Sequence, residues 1–219
     1  MKYLITLISF IFLLACTKVG KNVTIKGRVL NPVTGEGIQD AEVKILKTAG
    51  GFNGGFKAIK TVKSNSDGSF EISKLSLENC FAVCHTPLDV DYYQIGWENK
   101  SSVPLYNAVT ISVKKGKTMH ADYYAVPYGC ALWHVKNVNC ESTVDTMWYK
   151  IKYQYDSDFL NIWSFPYIGC SDALSSYCDK IKMGKHILLL KISRPSGLVY
   201  KYDTLFVNEN GVTNYNLFY

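Results

Sequence analysis

Apolar and polar residues alternate with a period of two through most of this chain. Val23, Ile25, Gly27 and Val29 alternate with Thr24, Lys26, Arg28 and Leu30, which predicts a strand with one buried face. Asn31 to Gly37 predicts a turn, because Pro32 fixes its own φ and Gly35 and Gly37 relax theirs. Ala41, Val43 and Ile45 then alternate with Glu42, Lys44 and Leu46, and Ala58 to Lys63 reads as a third strand beyond a glycine-rich loop. Asp67-Gly68 predicts a tight hairpin turn, which needs positive φ, leading into Phe70 and Ile72 on one face. Four short, punctuated strands in about 50 residues predict a β-sandwich and not a parallel α/β sheet.

The pattern stays β beyond this point. Phe81–Cys84, Asp91–Ile95, Val109–Val113 and Met119–Val126 predict further strands, the last closing a first sandwich. Pro127-Tyr128-Gly129 predicts a domain boundary, since Pro and Gly interrupt a hydrogen-bonded ladder. Leu132–Asn137, Thr146–Tyr155 and Phe159–Phe165 open a second sandwich. Ile187–Arg194, Leu198–Val207 and Thr213–Phe218, turned at Pro195-Ser196-Gly197 and Asn210-Gly211, predict a three-stranded meander at its end.

The first half resembles a known family. Gly27-Arg28-Val29, Pro32 to Gly37, Ile38, Ala41 to Ile45 and Ser66 to Ile72 are similar to the carboxypeptidase regulatory-like domain, a transthyretin-like β-sandwich of bacterial envelope proteins. The resemblance implies a structural or binding module with no shared catalytic residues. In the second half, Gly184-Lys185-His186 before Ile187 to Leu190 resembles the entry to a late strand in immunoglobulin-like and fibronectin-like bacterial modules. The expected fold class is all-β, with consecutive sandwich domains at 23–128 and 129–219.

Met1-Lys2 followed by the apolar run Tyr3 to Ala15 reads as a secretory signal, too short to span a bilayer. Leu13-Leu14-Ala15-Cys16 resembles a bacterial lipobox, which makes 1–15 the signal peptide, Cys16 the lipidated residue and 16–22 its tether. The expected location is the bacterial cell envelope at the outer membrane, held by lipid, with the side of the membrane left open. Lysine dominates the positive charge: the net charge is +6 and Arg28 and Arg194 are the two arginines. A chain so short of bidentate guanidinium forks is not expected to read nucleic acid.

Six cysteines remain after Cys16: Cys80, Cys84, Cys130, Cys140, Cys170 and Cys178. In an exported chain they predict disulfides. Cys80 and Cys84 on one continuous strand lie roughly 13 Å apart and cannot bridge each other, so each is expected to pair elsewhere. Cys170 and Cys178 are expected to close a local loop. A zinc site on Cys80, Cys84 and His85 is the rival reading, weakened by having a single ligand knuckle.

His85, His120, His134 and His186 fit no metalloprotease or nucleophile motif. His120, Asp122 and Tyr124 would share one strand face as a metal or acid-base site, and Asp156-Ser157-Asp158 is a lone acidic turn. The glycine-rich Gly50 to Gly55 lacks phosphate-loop spacing, leaving Phe52 as a contact residue or a packed one. Hydroxyisourate hydrolases, enzymes of the transthyretin-like fold, end in Tyr-Arg-Gly-Ser, whereas this chain ends Tyr215-Asn216-Leu217-Phe218-Tyr219. No catalytic residue, metal or cofactor is assigned. Trp97, Trp133, Trp148 and Trp163 are candidate ligand contacts, since flat rings stack on sugars or anchor interfaces. The sequence thus reads as a non-catalytic interaction, adhesion or assembly module whose partners are the membrane, through lipid, and an envelope protein or surface glycan. A glycan- or nutrient-binding lipoprotein is the alternative, and an envelope hydrolase with an unrecognised site comes third.

Overall fold

A computed structural model describes residues 21–50, 54–86, 91–98, 109–209 and 211–219. The signal segment 1–15, Cys16, Phe52 and Asn210 lie outside the described residues. Among the described residues every regular element is a strand: β1 Lys21–Leu30, β2 Glu42–Ala49, β3 Gly55–Lys63, β4 Ser69–Ser76, β5 Cys80–His85, β6 Tyr92–Trp97, β7 Thr110–Val113, β8 Thr118–His120, β9 Tyr123–Lys136, β10 Thr146–Tyr153, β11 Tyr167–Ile168, β12 Asp172–Leu174, β13 Asp179–Lys182, β14 Gly184–Arg194, β15 Gly197–Val207 and β16 Val212–Phe218. No helix among the described residues is long and apolar enough to cross a membrane.

The all-β expectation holds, with two layered cores. In the first, the sheet β3-β2-β5-β7 faces β4-β1-β8 and the first half of β9. The alternating residues predicted to point inward do so: Val23, Ile25, Val29, Val43, Ile45 and Ile72 are buried together with Trp97 and Tyr123. In the second, β11-β10-β14-β15 faces the other half of β9 with β12, β13 and β16. Its core holds Trp133, Val135, Met147, Leu188, Leu190, Ile192, Leu205 and Leu217. A small cluster of Ile95, Val126, Tyr153 and Met183 lies between them.

β9 belongs to both halves, which corrects the reading of Pro127-Tyr128-Gly129 as a break in the ladder. The strand runs for 14 residues through that tripeptide. What changes there is its partners: going along β9, the pairing with β6 stops at Pro127, opposite Tyr92, and the pairing with β13 starts at Tyr128, opposite Lys182. Proline lacks an N–H, so a strand tolerates it where one partner leaves and the next arrives.

Other expectations fail on strand pairing. The terminal meander is a hairpin only: β14 and β15 pair antiparallel along their whole length, but β16 crosses to the opposite sheet and pairs parallel with β9 from Val212 opposite Cys130. Asp67-Gly68 is a turn with φ +79° at Gly68, yet it joins different sheets, since β3 pairs with β2 and β4 with β1. A Cβ on Gly68 would stand 2.3 Å from the Val29 carbonyl oxygen. One on Gly37 would stand 2.1 Å from the Asp67 carbonyl carbon, so the two family-like turns close against each other on bare glycine backbone. Phe159–Phe165 forms no strand; it lies along β10 as irregular backbone, with the amides of Leu160 and Ser164 donating to the carbonyls of Ile151 and Tyr149.

Candidate interaction edge and cleft

Two edge strands differ in chemistry. β3 ends the first small sheet and carries Lys57, Lys60 and Lys63, with a bulge in its pairing to β2. Lysines and bulges are standard ways of discouraging edge-to-edge association. β15 ends the second small sheet and reads Gly197-Leu198-Val199-Tyr200-Lys201-Tyr202. Those six residues are all exposed, so side chains on both faces of the strand reach solvent. Tyr202 is 66% exposed.

The outer face beside that edge is built by register. Trp148, Lys191 and Tyr200 lie in one row across β10, β14 and β15, and Lys150, Leu189 and Tyr202 in the next. Lys191 Nζ stands 5.1 Å from the Trp148 ring, and Lys150 Nζ 4.8 Å from Trp163. Phe159 approaches Tyr202 at 6.2 Å between centroids. The face mixes aromatic area with ammonium groups, which suits a protein partner carrying carboxylates and apolar side chains.

The four tryptophans do not form the open platform expected of a glycan binder. Trp97 is fully buried against Phe70 and Tyr123. Trp133 is also buried, nearly parallel to Tyr149 at 5.6 Å and edge-on to Tyr215 at 5.2 Å. Trp148 and Trp163 are partly buried, and each has a lysine over its ring.

A cleft of about 400 Å³ opens on the inner face of β10, between it and β13. Tyr128 and Trp133 reach it from β9, Tyr149, Ile151 and Tyr153 from β10, and Asp179 to Lys182 from β13. Tyr153 donates its hydroxyl to the Met183 carbonyl at 2.6 Å. His186 stacks obliquely on Tyr153 at 4.9 Å, and its Nε2 lies 2.8 Å from the Lys182 carbonyl oxygen. A carbonyl only accepts, so Nε2 carries the proton in the neutral ring. Burial lowers the His186 pKa, against the opposing effect of that hydrogen bond. Burial pushes the Tyr149 hydroxyl up to about 12, helped by Tyr167 and Asp179 nearby. Lys182 Nζ sits 3.6 Å over Tyr93 and 3.7 Å from Asp156, while Lys180 Nζ sits 4.6 Å over Tyr128 and 3.9 Å from Asp91. None of these residues carries a nucleophile-base pair, and the described residues contain no group of three metal-ligating side chains.

The remaining candidates separate. The disulfides are Cys130–Cys178 and Cys140–Cys170, with Cα atoms 5.5 and 5.2 Å apart. This corrects the expected Cys170–Cys178 loop: each bridge instead joins β9, or the segment just after it, to the chain that follows β10. Cys80 and Cys84 join neither bridge and pack in the first core. His85 follows Cys84 on β5 and is exposed while Cys84 is buried, so the proposed zinc trio spans both sides of one strand. His120, Asp122 and Tyr124 do not converge, because the chain leaves regular pairing between β8 and β9. Asp122 accepts from the Arg28 amide at 2.9 Å, and Tyr124 donates to Glu98 at 3.3 Å. Asp156 faces Lys182, and Ser157 donates to Asp158 at 2.9 Å.

Sequence reasoning missed Asp145, which is fully buried. Burial pushes its carboxyl up, but the amides of Glu141 and Ser142 and the side chains of Asn137 and Ser142 outweigh that and leave it below the usual carboxylate value. Arg194 Nε lies 3.7 Å away. The cluster ties the end of β9 to the starts of β10 and the β14–β15 hairpin, beside Cys140–Cys170. No local motif announces it, since its members are spread from 137 to 194.

No known protein family matches the chain, and no curated protein matches it. Among solved structures, a streptococcal ancillary pilin aligns with 11% identity and a TM-score of 0.35, over 90% of this chain and 62% of that one. The shaft pilin spaA of Lactobacillus rhamnosus GG aligns with 8% identity and a TM-score of 0.27, over 91% of this chain and 97% of the pilin. A leucine-rich repeat protein of Bacteroides thetaiotaomicron gives 10% and 0.27, over 90% and 26%. At such scores the likeness carries no argument about what this chain does.

Proposed function

We propose that this chain is a non-catalytic, lipid-anchored module of the cell envelope that docks a partner protein along the free edge of β15. The observation that carries the reading is the exposure of Gly197 to Tyr202 on both faces of a long edge strand, beside an aromatic and lysine-bearing outer face. An edge strand offers a row of unpaired N–H and C=O groups, and an extended partner segment completes the ladder while side-chain pockets set specificity. The bridges Cys130–Cys178 and Cys140–Cys170 hold the layer behind the hairpin, so the edge is presented on a braced support. The first half, with its lysine-bearing edge, serves as the spacer next to the membrane.

The test is cross-linking on intact cells of the producing bacterium, comparing the wild-type chain with a Tyr200→Lys, Tyr202→Lys double variant. A defined protein adduct that the variant loses supports the reading; an adduct unchanged in the variant sinks it. For the anchor, Cys16→Ser is expected to release the protein from the membrane fraction, and retention with unchanged mass would contradict lipidation.

A further inference from the structure

The cleft between β10 and β13 is separate from the β15 edge, and its chemistry is unfinished. Trp133 is 7% exposed, lines the cleft, and its indole N–H is buried with no hydrogen-bond acceptor. A buried donor left without a partner is destabilising, so a ligand that supplies an acceptor gains what the folded chain lacks. Asp179 lines the same cleft, and no hydrogen bond or ion pair holds its carboxylate among the described residues.

From these observations we infer that the cleft is a binding site for a neutral saccharide of one or two pyranose units. The size fits: small-molecule sites run from about 300 to 1,000 Å³, and this one is about 400 Å³. The polarity fits as well. Tyrosine rings from β9 and β10 offer flat surfaces to the C–H face of a pyranose, and a sugar hydroxyl both donates and accepts. One hydroxyl accepts from the Trp133 N–H while another donates to Asp179.

Charge selects against ionic ligands. The two ammonium groups at the cleft are each set over a tyrosine ring and near a carboxylate, Lys182 by Asp156 and Lys180 by Asp91. An anion would face the carboxylates of Asp156 and Asp179, and a cation the two lysines. A neutral polyol leaves those pairs in place. His186, with Nε2–H committed to the Lys182 carbonyl, stays neutral beside it.

The experiment is calorimetric titration of the full mature chain with methyl glucoside, methyl galactoside, methyl mannoside, N-acetylglucosamine and the disaccharides maltose, lactose and cellobiose, each up to about 10 mM. In parallel, proton–nitrogen NMR follows the indole N–H signals, with that of Trp133 assigned by its loss in Trp133→Phe. The expected result is saturable binding of at least one neutral sugar, a shift of the Trp133 indole signal, and affinity lowered roughly tenfold or more in both Trp133→Phe and Asp179→Asn. Trp163→Phe, outside the cleft, should bind as the wild type does, and glucuronic acid should bind more weakly than methyl glucoside. Absence of binding across the panel, binding that moves another indole and not that of Trp133, or binding unchanged in Trp133→Phe would each overturn the assignment. Because the β15 edge is untouched by these variants, either proposal can fail without the other.

Discussion

The two halves of this molecule solve the same folding problem with different means. The first buries a continuous core between short sheets, uses its two cysteines as packing and carries lysines on its outer edge strand. The second is braced by two disulfides, keeps a buried carboxylate at its hub, leaves an aromatic edge strand open and contains a cleft with an unpartnered donor. Groups left unsatisfied or exposed at a cost to stability concentrate where a protein makes contact with something else. Buried unpartnered donors occur in both halves, at Trp97 Nε1 as well as Trp133 Nε1; what sets the second apart is its open aromatic edge strand and its cleft, and on the proposed reading the first half is the scaffold and the second the working part.

The largest expected effect would come from the bridges. Replacing Cys140 and Cys170 together by serine should cost about 2–5 kcal/mol, read as an earlier unfolding transition in Trp133 fluorescence. Cys80→Ala should cost less than either bridge, since it removes a small buried side chain and the weak thiol contacts to Ser76 and Glu78. Equal costs would erase the contrast between halves. Next comes the turn contact: Gly68→Ala should destabilise the first half by roughly 1–3 kcal/mol, because the added Cβ meets the Val29 carbonyl and φ is positive. Denaturant melts of that variant followed by Trp97 would check it.

Protonation should separate the halves more gently. The Asp145 carboxyl is held below its ordinary value of 3.8 in the folded state, so its contribution is present above that pH and is lost as pH falls through the lower folded value. Asp145→Asn should remove this acid-sensitive component, measured as the change in melting temperature across the acid range. His186 acts in the opposite sense chemically but in the same direction: its folded pKa lies below 6.5, so the unfolded chain takes the proton first and stability falls as pH drops through 6.5. His186→Gln should flatten a slope in melting temperature between about pH 7.5 and pH 5.5. The smallest expected effect is on the edge itself, where Tyr200→Lys with Tyr202→Lys should change stability by no more than about 0.5 kcal/mol per site while abolishing docking.

The strands of the first half were legible because alternation tells which residues face a core. Val23, Ile25 and Ile72 needed no tertiary information. Alternation does not tell which edge a strand joins, and that is where the sequence reading of β16 went astray. Thr213 to Phe218 has the right period to extend a meander, yet it joins β9, more than 80 residues earlier. Short pieces such as β11 and β12 carry too few residues to display a period at all. The cleft was illegible for a related reason: Trp133, Tyr149 and Asp179 come from three strands, brought together by the pairing of β9 with β13 and by the packing of β10 across the core against β9. Disulfide choice followed that same pairing, which sets Cys130 next to Cys178, and not local loop length.

The claim that the open β15 edge is the docking surface is tested most directly by a photo-crosslinking amino acid placed at Tyr202 and, in a separate chain, at Lys60 on β3, each expressed in the native cell. The account predicts one defined protein adduct from position 202 and none from position 60. Adducts from both, or from position 60 alone, would contradict the division of the molecule into scaffold and working half.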